Sequence, residues 1–175
     1  MEAEYYDKVY RSSKEYRKAP ENSIYYEVWK AILNLLTQGE PVYELGCGSG
    51  QLARFLISKG IHYIWGCDYS NEAINLAMKH SDKFMVADIF EIEIPVGTIL
   101  CTEVFEHLQD DKKLIARIPV KSRLIFSVPD FMVESHVRCF KSEKEIREYY
   151  AGISIQSISK HQVGKHNIYL VDSLL

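Results

Sequence analysis

Residues 41–51, PVYELGCGSGQ, decide how this chain is read. Val42, Tyr43 and Leu45 form a short apolar run with β character, and glycines follow at 46, 48 and 50. An apolar, helix-like segment begins at Gln51. Strand, glycine-rich turn and helix in that order make a loop that cradles a ligand, because glycines turn sharply and present backbone without a Cβ in the way. No Gly-Lys-Ser/Thr ending follows, which disfavours a nucleoside triphosphate loop. The dinucleotide fingerprint needs a glycine where Gln51 stands, so a dinucleotide fits poorly. Glu44 lies inside the strand, where a buried carboxylate needs a partner.

A chain of 175 residues, 47% apolar and 26% charged, has the size and composition of one globular domain with a sizeable core. The net charge of −3 includes no basic face, which points away from nucleic acid and toward a small or polypeptide substrate. No apolar run has the length of a membrane span, and the first residues lack the apolar core of a signal peptide; a cytoplasmic location is expected. Cys47, Cys67, Cys101 and Cys139 show no CxxC spacing and are read as reduced thiols.

Residues 1–22 are polar but rich in tyrosine, with Tyr5, Tyr6, Tyr10 and Tyr16, and read as an arm packed on the domain or a lid over a ligand. Asn22 or Ser23 is positioned to cap a helix running to about Thr37. Strand and helix then alternate. Strands are expected at 61–66, 84–87, 96–102 and 123–128, with helices after 51, 70 and 110 and a helix or helical turn near Glu103. Ser142 to Glu145 reads as a capping box opening a helix to about Tyr150. Residues 153–159 and 167–171, around Gly164, form a closing antiparallel pair. The fold class is therefore α/β: a Rossmann-like, seven-stranded, mostly parallel sheet with helices on both faces and a C-terminal antiparallel hairpin. The chain is read as a single domain over 1–175, with an arm and helix over 1–40 and the core over 41–175. Ligands in such sheets bind outside the carboxyl ends of the strands.

The run Glu44-Leu45-Gly46-Cys47-Gly48-Ser49-Gly50 resembles motif I, ExGxGxG, of the class I S-adenosylmethionine-dependent methyltransferases. The segment 102–108, TEVFEHL, is similar to the EVLEHL stretch of small-molecule members, including the ubiquinone-type O-methyltransferases, and 136–140, HVRCF, to their HxRxF stretch. The resemblance covers residues 42–147 and implies S-adenosylmethionine as cofactor. Glu44, Leu45, Gly46, Cys47, Gly48, Gly50 and Glu103 map onto the cofactor site. Asp68, about twenty residues past the loop, is placed to accept the ribose hydroxyls. Asp88 resembles the residue that receives the adenine amino group, with Tyr69 and Ile89 against the ring.

On a helix, Glu103, Glu106 and His107 would share one face. Two functional readings compete there with a purely structural one. In the first, His107 or His136 is the general base for the acceptor and Glu106 orients it. In the second, Glu103, Glu106, His107 and His136 hold a divalent metal, as in the small-RNA 2′-O-methyltransferases. The base reading comes first, and no metal is expected. The activity expected is methyl transfer to an oxygen or nitrogen of a small-molecule acceptor. The alternatives are a non-catalytic S-adenosylmethionine-binding protein, a metal-assisted RNA 2′-O-methyltransferase and a peptide methyltransferase. Neither the acceptor nor the oligomeric state is readable from the residues.

Overall fold

A computed structural model describes residues 3–175; Met1 and Glu2 of the expected arm lie outside the described residues. Along the chain the helices are α1 (Ala3–Ser12), α2 (Tyr26–Leu35), α3 (Gln51–Ser58), α4 (Asn71–Ala77), α5 (Asp111–Arg117) and α6 (Glu143–Tyr149). The strands are β1 (Val42–Leu45), β2 (Tyr63–Asp68), β3 (Phe84–Val86), β4 (Thr98–Cys101), β5 (Arg123–Pro129), β6 (Ser154–Val163) and β7 (His166–Leu174). They fall into two compact units, Met1–Glu93 and Ile94–Leu175. The strand order is β3-β2-β1 in the first unit and β4-β5-β7-β6 in the second, seven strands of one mixed, Rossmann-like sheet.

In the first unit β1, β2 and β3 are all parallel, with Glu44 opposite Gly66 and Asp68 opposite Val86. Parallel strands reached by helical crossovers need apolar side chains on both faces. Val42, Leu45, Cys67, Ala53 and Leu56 accordingly have no exposed surface. In the second unit β4 and β5 are parallel, and Ile99, Leu100, Leu124, Ile125 and Phe126 are likewise fully buried. Phe126 packs on Phe105 at 4.9 Å and on Tyr150 at 5.0 Å between ring centres. That aromatic cluster anchors the residue directly before Glu106.

The hairpin is longer than expected from sequence, because β7 pairs with β5 from Ile168 to Leu174 and with β6 from His166 to Leu174. Only Ile168–Val171 carries a continuous apolar signal, whereas β6 is a mostly exposed edge rich in Ser, Gln and Lys. Other expectations are sharpened. Helix α2 begins at Tyr26 with no side-chain cap, and Ser23 Oγ accepts the Tyr25 N–H instead. Of the helix or helical turn expected near Glu103, the turn is what forms, as a 3-10 turn over Phe105–His107. The tyrosine-rich arm contains helix α1, which docks on α4 through the Arg11–Glu72 ion pair at 2.7 Å.

Gly66 is the tightest point of the first unit. A Cβ there would collide with the Tyr63 hydroxyl and stand 2.8 Å from Cys47 Cβ. Gly66→Ala should therefore lower the urea midpoint, by the ~1–3 kcal/mol typical of overpacking plus the loss of the Tyr63–Glu44 bond described below. An unchanged midpoint would mean Tyr63 relaxes without releasing its partner.

Candidate active site

The glycine loop is drawn against the end of β2. The Gly46 and Cys47 N–H groups both donate to Cys67 O at 2.8 Å. Asp68 accepts the Gly48 N–H through Oδ2 at 3.0 Å and the Ser70 N–H through Oδ1 at 2.9 Å. Burial pushes the Asp68 carboxyl up and those two amides oppose it. Gly48 and Gly50 have φ of +54° and +71°, so a side chain at either is strained. A Cβ on Gly50 would lie 2.8 Å from Phe84. The Ser49 hydroxyl is buried and has no hydrogen-bond partner.

This cradle suits a polar ligand with a ribose. Asp68 holds the loop through the Gly48 amide and the start of α4 through the Ser70 amide, and keeps acceptor capacity for hydroxyls; the Ser49 hydroxyl has no partner within the chain. Asp88 accepts the Phe90 N–H through Oδ1 at 2.8 Å. Tyr69 and Ile89 stand half-buried beside the two carboxylates. Leu45 and Cys47 are buried supports under the loop, Leu45 with no exposed surface. Sequence reasoning missed Ser49, although it lies between two of the named glycines.

Glu44 finds the partner its position demands. The Tyr63 hydroxyl donates to Oε2 at 2.6 Å. Burial nevertheless raises its carboxyl to about 8, against the Tyr63 bond, with the Asp68 charge adding to the rise. Glu44 thus sits beneath the loop as a largely protonated group near neutral pH. Gly66, opposite it in β2, makes the room for Tyr63.

The arm reaches the same loop. Gln51 donates through Nε2 to Glu15 O at 3.1 Å and Lys18 O at 2.9 Å. The Tyr10 hydroxyl lies against Gly48, 2.7 Å from where a Cβ would stand. Asp7 accepts from Ser70 Oγ at 2.5 Å and from the Glu72 N–H at 3.1 Å, beside the N-terminus of α4. The glutamine that departs from the dinucleotide fingerprint is therefore the arm's anchor.

The second unit gathers Glu106, His107 and His136, whose ligating atoms all lie within 4.8 Å of one another. The two rings meet edge to face, 4.9 Å apart. Their Nδ1 atoms face backbone carbonyls, His107 at 2.9 Å from Ser135 O and His136 at 3.2 Å from Phe131 O. Those contacts make Nδ1–H the donor and turn Nε2 into the basic nitrogen of each ring. Burial lowers both imidazoles below their ordinary value. Glu106 is fully buried, and neither carboxyl oxygen has a hydrogen-bond partner. Glu103 leaves the group: its φ is +56°, and its side chain and amide bond Ser127 Oγ at 2.7 and 2.8 Å. The expected shared helical face does not form, because the turn holds only Phe105–His107.

Arg138, inside the HVRCF stretch, holds this turn in place. Its guanidinium donates to the carbonyls of Phe105, Leu108 and Gln109 and pairs with Asp111 at 3.2 Å. Val137 N–H adds a bond to Glu106 O at 2.7 Å.

The sheet order and the glycine turn after β1 are those of the class I methyltransferase fold. Residues 42–119 match the model of the methyltransferase-domain family. The fold matches magnesium protoporphyrin IX methyltransferase (ChlM) from Synechocystis with bound S-adenosylmethionine, at 17% identity, TM-score 0.71, covering 99% of this chain and 97% of that one. It also matches the N-methyltransferase NodS from Bradyrhizobium japonicum with S-adenosylhomocysteine, at 15% identity and TM-score 0.74, over 98% and 97% of the two chains. An S-adenosylmethionine-dependent methyltransferase from Mesorhizobium loti matches at 13% identity and TM-score 0.66, over 90% and 100%. No curated protein sequence matches the chain. Among the described residues no helix is long and apolar enough to cross a membrane.

The raised Glu44 carboxyl has a stability signature. A carboxyl raised on folding contributes stability that is fully present below its unfolded value, near 4.5, and lost as pH rises toward about 8. Glu44→Gln cannot ionise, so its stability relative to the parent should climb across that interval and level off above it. Parallel urea titrations at pH 5 to 9 measure this, and a pH-independent difference would contradict the shift.

Proposed function

We propose that the protein moves the methyl group of S-adenosylmethionine to an oxygen, or a nitrogen, of a small-molecule acceptor, as one catalytic domain with an arm over 1–40 and a core over 41–175. The cofactor, when bound, supplies a methyl carbon already activated on a sulfonium. Glu44, the glycine loop, Asp68, Tyr69, Asp88 and Ile89 are the residues proposed to hold it. The reading of the chemistry rests on one observation: His107 and His136 direct Nδ1 to backbone carbonyls, which leaves Nε2 as the basic nitrogen of each ring. With Nε2 in that state the rings accept the proton of a hydroxyl or ammonium nucleophile. Glu106 is proposed to orient them. Glu103, bound to Ser127, supports the loop after β4 and is not proposed to orient the imidazoles. The porphyrin named for ChlM favours a small acceptor, and the net charge of −3 argues against nucleic acid. The reduced-thiol reading of the cysteines, which show no CxxC spacing, supports a cytoplasmic location.

S-adenosylhomocysteine should bind with micromolar affinity, about −8 kcal/mol, and Asp68→Ala should weaken it by about 2–4 kcal/mol through the lost charge-assisted bonds. Calorimetry reads both, and absence of binding to the parent protein would defeat the assignment. With both imidazoles lowered, the acid limb of turnover should lie below pH 6.5, and His107→Ala with His136→Ala should abolish turnover while leaving cofactor affinity in place. A binding protein without catalysis would show the affinity and no turnover in the parent.

We propose further that residues 3–20 are a lid over the cofactor, since Tyr10 lies on Gly48 and Gln51 clamps the chain beyond it. A ring over a sulfonium is attractive, and closure excludes water. Hydrogen exchange across 3–20 should slow when S-adenosylhomocysteine binds, and Gln51→Ala should weaken cofactor binding by about 1–2 kcal/mol. Equal exchange in both states would make the arm a fixed part of the first unit.

A further inference from the structure

We infer that His166, the first residue of β7, is a positioning residue for His136 and acts through Phe131. This rests on the reading of His136 as a base, and it names what holds that imidazole in one proton arrangement.

The link runs through three contacts. His136 Nδ1 faces the carbonyl oxygen of Phe131 at 3.2 Å, so the backbone at Phe131 decides which ring nitrogen is left basic. The Phe131 ring also packs on the imidazole, 5.3 Å between centres. That ring in turn lies stacked on His166, at 4.2 Å and 19° between planes. With the edge-to-face contact of His136 on His107, four rings form one row from the start of β7 to the turn after β4. The hairpin is the rigid end of that row, and the imidazoles are its working end.

The neighbours of the stacked pair are clasped to each other. Asp130 donates its N–H to Asn167 O at 3.0 Å, and its carboxylate accepts the Asn167 N–H at 3.2 Å and the side-chain amide at 2.9 Å. Lys160 of β6 pairs with the same carboxylate at 3.1 Å. These bonds place Asp130, but Phe131 can still rotate about its own backbone dihedrals. The residues that follow lend it no burial, since Met132 and Val133 are 54% and 46% exposed. Stacking on His166 is therefore what sets the Phe131 carbonyl. A flat ring suits the task in a half-buried place, because its face is apolar while its edge keeps polar nitrogens for water. A base works only when it is held in the productive geometry, and here the holding is done by a neighbour twice removed.

Histidine-selective nitrogen-15 labelling of the full-length chain reads the arrangement without turnover, at a pH well above the imidazole range. In the parent, His136 should show a single tautomer with its proton on Nδ1; His136→Gln identifies the signal by removing it. His166→Leu keeps the apolar bulk and lacks the flat face. It should turn the His136 signals into an average of two tautomers, while those of His62 and His80 in the first unit stay in place. His166→Phe brings the flat face back and should restore the single tautomer. Once a screen has supplied an acceptor, kcat should fall about tenfold in His166→Leu with S-adenosylhomocysteine affinity unchanged, as expected for a base out of place. A mixed tautomer in the parent or in His166→Phe, or a single tautomer or undiminished kcat in His166→Leu, would overturn the inference. A parent with the single tautomer and no methyl transfer would defeat the base reading alone and leave the clamp on His136 supported.

Discussion

The carboxylate of Asp68 is the interaction on which the first unit depends. One oxygen takes the Gly48 N–H and the other the Ser70 N–H, so a single side chain ties the glycine loop to the start of α4. Both bonds go to backbone amides, and neither can move without moving the loop or the helix. Ser70 carries the connection outward: its hydroxyl caps the Ala73 N–H and bonds Asp7 of the arm. A ligand that engages Asp68 therefore touches the loop, the helix and the arm through one group. The cost is desolvation of the carboxylate, which the two amides offset in part.

The second unit solves a similar problem with a cation. The loop after β4 and the segment 129–141 share no regular secondary structure that would hold them together. Arg138 supplies the connection, since a guanidinium has five donors and takes three carbonyls and a carboxylate at once. Asp111 balances that charge and also accepts the Tyr149 and Tyr150 hydroxyls. Tyr150 in turn packs on Phe126 and Phe105. The turn bearing Glu106 and His107 is thus pinned from the apolar side by Phe105 and from the polar side by Arg138.

Sequence made the alternation of strands and helices plain because buried parallel strands are apolar throughout and glycines mark their ends. Gly46 to Gly50, Asp68 and Asp88 were legible for the same reason: each sits where a strand stops, and strand ends are where such sheets bind ligands. The misses share another cause. Glu103 was placed by helical spacing, but a 3-10 turn and a left-handed φ send it to Ser127. Gln51 was noticed only as a missing glycine, since its partners, Glu15 O and Lys18 O, are backbone atoms that no residue pattern marks. Tyr63 and Gly66 were invisible as a pair because their link to Glu44 depends on strand register. Ser49 and Arg138 stand inside the ExGxGxG and HxRxF stretches without being marked by them, as a motif names positions without saying which atoms are satisfied.

That distinction separates the two clusters of the molecule. Glu44 and Glu106 are both carboxyls with almost no exposed surface. Glu44 has a tyrosine hydroxyl 2.6 Å away and is at home as a protonated group within the fold. Glu106 has the opposite condition, two open oxygens facing two imidazoles that share its neighbourhood. A leucine would fill the same volume at no electrostatic cost, and a glutamine would at least avoid the charge, so stability alone does not account for the residue. Burial and the neighbouring Glu103 push the Glu106 carboxyl well above the usual carboxylate range, so a glutamate adds here a group that can carry a proton beside two imidazoles. The hydrogen bonds that fix those rings come from the loop that Arg138 holds, so the cluster is oriented before anything binds.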